Sequence, residues 1–94
     1  MTENTLLSIL KEKINIYKTL PYFSLIEKTK ETKPVVFENG IFGNPDFYQG
    51  EIIFAIDDKK TGDIRIIGEI DDGGKNKIYH NVIISQNGEV VSEG

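Results

Sequence analysis

The chain has 94 residues, no cysteine, one histidine and a formal net charge of −4 at pH 7. Disulfides and cysteine zinc sites are therefore excluded, and no apolar run approaches the ~18 residues of a membrane span. The negative charge lies in residues 51–94, and Arg65 is the only arginine. Phosphate-backbone binding favours a basic patch with arginine, so neither nucleic acid nor a membrane is an expected partner.

Residues 3–19 are predicted to form an amphipathic helix. Apolar side chains recur there at helical spacing, at Leu6, Leu10, Ile14 and Tyr17. Thr2 is placed to cap the start, and Pro21 disfavours a helical conformation of the residue before it. The apolar stripe covers about half of the helix circumference, which indicates a helix that lies across a sheet.

The next segment, residues 22–28, is predicted to be a strand, because aromatic and branched side chains cluster there. The alternative is a second helix with Pro21 at its first position, where proline is favoured. A short strand is predicted at 35–38, and Asn39-Gly40 ends it.

The C-terminal half is predicted to be a series of hairpins with strands at about 51–57, 63–70, 77–85 and 89–92. Asn87-Gly88 is typical of a two-residue hairpin turn. Alternation places one set of apolar side chains on the same face, namely Ile52, Phe54, Ile56, Ile64, Ile66 and Ile70.

This order of elements predicts one α+β domain, residues 1–94, with the N-terminal helix packed on one face of a 4–5-stranded antiparallel β-meander. One helix followed by a meander resembles the cystatin-like architecture. The inhibitory Gln-x-Val-x-Gly loop of that family is absent, since the nearest segment is Gln49-Gly50-Glu51-Ile52-Ile53. The resemblance therefore implies an architecture and no function.

The chain shows no recognisable catalytic or metal-binding motif. A nucleophilic site at His80 would need a partner, and Ser85 would point to the opposite face of the same strand. The turn that begins at Asp57 has glycine at position six of a calcium loop, but Lys59 and Gly68 occupy ligand positions three and twelve. No catalytic residue, metal or cofactor is expected.

Candidate partner-binding residues fall in an aromatic loop and in acidic turns. Aromatic anchors with a polar rim are typical of interfaces, which favours Phe42, Asp46, Phe47 and Tyr48; the alternative is that Phe42 and Phe47 fill the core. The remaining candidates are the turn carboxylates Asp57, Asp58, Asp71 and Asp72, together with Tyr79 on the open sheet face. Strand reversal places the two carboxylate pairs at opposite ends of a hairpin.

The main functional hypothesis is a non-catalytic, small acidic protein-binding domain, an immunity- or inhibitor-type protein that neutralises a basic partner protein. One alternative is a structural or assembly subunit that homodimerises through its exposed sheet face. The other is a small enzyme or ligand-binding domain with a pocket at His80. Abundant Ile, Lys and Asn, which AT-rich codons encode, favour a bacterial or phage origin. The first residues lack a secretory signal pattern, so a cytoplasmic location is expected.

Overall fold

The computed structural model describes residues 1–94 as two helices and a five-stranded sheet. The elements are α1 (Glu3–Lys18), α2 (Tyr22–Thr29), β1 (Val35–Asn39), β2 (Tyr48–Asp58), β3 (Asp63–Asp71), β4 (Lys77–Ile84) and β5 (Val90–Glu93). Strand order in the sheet follows chain order, every neighbouring pair is antiparallel, and α1 contacts β2, β3 and β4. The predicted α+β fold, with the N-terminal helix on one face of an antiparallel meander, is confirmed.

Helix α1 forms where its apolar stripe and its cap predict. Thr2 Oγ1 accepts a hydrogen bond from the Thr5 backbone N–H at 3.1 Å, which satisfies one of the free donors at the helix start. The stripe residues Leu6, Leu10 and Ile14 are fully buried against the sheet. Each such side chain stabilises the fold by about 1.5–3 kcal/mol through burial.

The sheet meets α1 unusually closely at Gly68 in β3. A Cβ atom there would lie 2.8 Å from both Leu10 Cδ1 and Ile14 Cδ1. Because glycine has no side chain, the helix can pack closely against the strand at this point. Around this point Ile64, Ile66 and Ile70 are fully buried, as period-two alternation predicts.

On the neighbouring strand β2 the alternation holds at Ile52 and Phe54 and weakens at Ile56. The first two side chains are buried, whereas Ile56 is partly exposed. It stands next to a shift in the β2–β3 register, between Ile56 and Asp58, where the regular ladder ends.

The strand predicted at 22–28 is wrong, because this segment is helix α2. Leu25 is fully buried, and Tyr22 and Ile26 pack beside it, so these apolar side chains share one helical face that rests on β2. The Pro21 carbonyl accepts the first intrahelical hydrogen bond, from the Leu25 N–H at 3.3 Å. Phe23, outside this helical face, is exposed to solvent.

Strands β1 and β2 are longer than predicted. They pair in one unbroken register from Val35↔Ile52 to Asn39↔Tyr48, so β2 begins at Tyr48 rather than at residue 51. The aromatic segment between them is thereby reduced to residues 40–47. Backbone pairing with β1 includes Tyr48, Gln49 and Gly50 in β2.

One face of the sheet is covered by the helices and the other is open. Val36, Ile53 and Tyr79, which alternate with the buried positions of their strands, are exposed on the open face. Neither helix is long and apolar enough to cross a membrane.

Candidate binding surface

The aromatic loop, residues 40–47, has one buried and one displayed ring. Phe47 is 4% exposed and Phe42 is 70% exposed, and their rings meet edge to face with centroids 5.5 Å apart. A Cβ on Gly73 would lie 2.9 Å from the Phe42 ring and 3.1 Å from the Phe47 ring, so both rings rest on the β3–β4 turn. Phe47 therefore anchors a small apolar cluster outside the main core, and Phe42 is presented to solvent.

Hydrogen bonds hold the aromatic loop in shape without any ligand. The Asn39 side-chain amide donates to the Asp46 carbonyl at 3.1 Å, and the Phe47 N–H donates to the Asn44 carbonyl at 3.1 Å. Gly40 has φ +76°, a left-handed conformation that favours glycine at the start of the loop. A preformed loop loses little conformational freedom when it binds a partner.

The β3–β4 turn that supports this loop is built by its own carboxylates. Asp71 Oδ1 accepts the Gly73 N–H at 2.8 Å, and Asp72 Oδ1 accepts the Gly74 N–H at 2.9 Å. The hydrogen bond from the Gly74 backbone N–H is the main cause that lowers the pKa of Asp72 below its ordinary value. Hydrogen bonds from Asn76 lower it further. Both aspartates thus stabilise the turn, and Asp72 stays ionised.

An acidic groove of about 500 Å³ lies beside this turn on the open sheet face. The acidic groove is the concavity over β1, β2 and β3, and its carboxylates are Glu38, Glu51, Glu69 and Asp71. These residues lie side by side because the register aligns Val36 with Glu51 and Glu51 with Glu69. No lysine or arginine lines the groove, so its potential is negative.

Gly50, behind the acidic groove, leaves room for the Phe37 ring on the helix side of the sheet. A Cβ on Gly50 would collide with the Phe37 ring and with the Glu69 backbone oxygen. Phe37 itself packs against the main core, with the Tyr48 ring 6.3 Å away, centroid to centroid. Tyr48, a predicted binding residue, is therefore half-buried on the helix side and supports the groove from behind.

Tyr79 and Lys77 border the groove on β4. Tyr79 is 58% exposed and aligned with Glu69 across the β3–β4 pair. Lys77 Nζ lies 3.8 Å from Glu69 Oε2 and 5.7 Å from the centre of the Tyr79 ring. The negative charge of Glu69 raises the pKa of Lys77, so this lysine stays charged at the rim.

One end of the sheet thus brings together six predicted site residues, which are Phe42, Asp46, Phe47, Asp71, Asp72 and Tyr79. Sequence reasoning did not assign Glu38 or Glu69 to the site, because only the strand register shows that they share one concavity with Glu51 and Asp71. Their positions at period two on successive strands were the available signal.

Of the three other predicted residues, Tyr48 lies behind the groove on the helix side, and Asp57 and Asp58 lie at the opposite end of the β2–β3 hairpin. Asp57 Oδ1 accepts hydrogen bonds from Arg65 Nε at 2.9 Å and Nη2 at 2.8 Å. Asp58 Oδ1 accepts the Lys60 N–H at 2.8 Å within the turn. Both carboxylates have partners within the chain and do not join the acidic groove.

His80 is buried between sheet and helix, away from the acidic groove. It is 5% exposed, and its Nε2 lies 3.2 Å from Glu93 Oε2. Glu93 also accepts a hydrogen bond from Lys18 Nζ at 2.5 Å. This hydrogen bond is the main cause that lowers the pKa of Glu93, and the hydrogen bond with His80 lowers it further. The three side chains fasten β5 to β4 and α1. The enzyme hypothesis places a pocket at His80. The structure has one pocket, the acidic groove, whose lining residues belong to β1, β2 and β3 and do not include His80.

Comparisons of the chain with protein-family models, with curated proteins and with solved structures found no match. The resemblance to the cystatin-like architecture stays a prediction from the order of elements.

Proposed function

We propose that this chain is a non-catalytic protein-binding domain that captures, and so neutralises, a basic segment of a partner protein, as bacterial immunity- and inhibitor-type proteins do. The observation that carries the proposal is the acidic groove, in which four carboxylates and no cation line a concavity on the uncovered sheet face. The proposal includes a reducing cytoplasm, in which a chain without cysteine needs no disulfide.

Electrostatics favour a basic occupant for this groove. The side-chain carboxylates of Glu38 and Glu51 accept no hydrogen bond and form no ion pair within the chain, so they are free to bind cationic side chains. Lysine or arginine would form charge-assisted hydrogen bonds with them, and the negative field would speed association. Phe42, exposed beside the β3–β4 turn, adds an aromatic anchor of the kind that dominates interface energies.

The proposal is tested by titrating the labelled protein with oligolysine and oligoarginine peptides while its amide NMR spectrum is recorded. We expect shifts confined to the acidic groove and the aromatic loop. The double variant Glu38→Gln/Glu51→Gln removes two exposed charge pairs of about 0.2–1 kcal/mol each, which weakens binding roughly 2- to 30-fold.

The matched control is Glu12→Gln/Glu89→Gln, which changes net charge equally at exposed positions outside the groove. If both double variants weaken binding to the same extent, or if oligolysine shifts residues all over the surface, the groove is no site and the proposal fails.

A homodimer is the second candidate, and a specific observation favours it. Ile53 and Ile67 are aligned across β2 and β3 on the open face, which gives the surface beside the groove an apolar part. Light scattering at high protein concentration tests this candidate, because a strictly monomeric mass would remove it.

A further inference from the structure

We propose that the basic segment binds as an extended strand that adds to the free edge of β1, becoming a sixth strand of the sheet, with its cationic side chains over the acidic groove. This inference rests on the proposed function and specifies the conformation and chemistry of the partner segment.

Strand β1 has the features of an accepting edge. It stands at the end of the sheet with β2 as its one strand neighbour, so its outer edge presents unpaired backbone N–H and C=O groups. Natural edge strands are usually protected by lysine, proline or a bulge. The segment Val35–Asn39 contains neither residue, and its register with β2 is unbroken.

The opposite edge of the sheet is protected. Strand β5 has four residues, and its pairing with β4 shifts register between Ile83 and Ile84. Its last residue, Glu93, is fastened to Lys18 and His80. The two edges therefore differ, and β1 is the one open to a further strand.

The side chains beside β1 define the chemistry of the added strand. Val36, 72% exposed, and Glu38 both face the groove side. Because side chains alternate along a strand, every second residue of an added strand would stand beside these two. A long cationic side chain there would reach Glu38 directly and extend over Val36 toward Glu51, which the register aligns with Val36. The fitting segment therefore alternates Lys or Arg with apolar or β-branched residues.

A second copy of this chain is a poorer occupant of the same edge. Antiparallel pairing of two β1 strands would bring two acidic grooves together, each belonging to a chain with a net charge of −4. Like charges directly opposite each other in a sheet are destabilising. A basic extended segment supplies the same backbone hydrogen bonds with charge complementarity.

The test uses a synthetic peptide in which Lys and Val alternate, and two derivatives with backbone N-methyl groups on every Lys or on every Val. An added strand pairs through alternate amides only, so methylation in one register should weaken binding about tenfold or more, while the other register is tolerated. We also expect slower hydrogen exchange at alternate amides of β1 when the unmodified peptide is bound.

The outcomes separate this inference from the proposed function. If both methylated peptides bind as the unmodified one does, or if oligolysine binds and the alternating peptide does not, strand addition is wrong and capture of a basic segment stands. If neither oligolysine nor the alternating peptide binds, the proposed function itself fails. A dimer whose β1 amides are protected without peptide would show that a second copy occupies the edge, which also overturns the inference.

Discussion

Substitution of Gly68 by alanine tests how closely helix α1 is seated on the sheet. The new Cβ would lie 2.8 Å from Leu10 Cδ1 and Ile14 Cδ1, whereas ordinary contact begins at 3.4 Å, so each methyl group must move by about 0.6 Å. Both residues are fully buried and have little free space. Overpacking of this kind lowers the free energy of unfolding by about 1–3 kcal/mol. Alanine loses less backbone entropy on folding than glycine does, which offsets roughly 0.5–1 kcal/mol of that loss.

The expected net loss for Gly68→Ala is about 0–2.5 kcal/mol, which lowers Tm by up to roughly 20 °C in a domain of this size. Urea unfolding followed by circular dichroism measures it. Gly74→Ala is the matched control, because a Cβ there meets only Asp72 Oδ1 at 3.4 Å and should change stability by less than about 0.5 kcal/mol.

A double-mutant cycle identifies the cause of the loss. Ile14→Val removes the Cδ1 methyl that the new Cβ would touch, so Gly68→Ala should be less destabilising in that background by about 0.5–1 kcal/mol. Strict additivity of the two changes would refute close packing of the helix at this glycine.

Two further predictions concern the aromatic loop and the C-terminal strand. Phe47→Ala should lower the unfolding free energy, measured by urea unfolding, by about 3 kcal/mol. Substitution of the exposed Phe42 by alanine should change it by less than about 0.5 kcal/mol. Equal losses would contradict the division into a buried anchor, Phe47, and an exposed ring, Phe42. Because its hydrogen bond to Lys18 lowers the pKa of Glu93, the stability that this carboxylate contributes is complete above its ordinary pKa of 4.5 and is lost as pH falls through the lower folded value. Thermal unfolding between pH 6 and about pH 3 should therefore show a shallower acid decline for Glu93→Gln, and parallel declines would contradict this role.

Strong periodicity made the first helix and the central hairpin predictable. Leu6, Leu10 and Ile14 recur over a long window, and Ile64 and Ile66 alternate over another, so local pattern and tertiary burial agree. Helix α2 has only eight residues, and its conformation depends on burial of one face against β2, which a short window does not show.

The candidate site was predictable in part. The aromatic loop was found from composition, but the acidic groove depends on the alignment of Glu51 with Glu69, a relation between strands rather than between neighbours in sequence. Asp58 and Asp72, predicted to bind a partner, instead accept hydrogen bonds from the backbone of their own turns. Aspartate at the start of a turn is a known signal for that role, because its side chain bonds to the backbone two residues on, and it competes with the interface interpretation.

The matching of strand order to chain order has a consequence for how the domain refolds. Each of the five strands pairs with the strand next to it in the chain, so each new pairing closes only a short loop. We expect these local pairings to form before α1 packs on β3 and β4, because those contacts close much longer loops. We therefore expect the sheet to grow outward from the long β2–β3 hairpin.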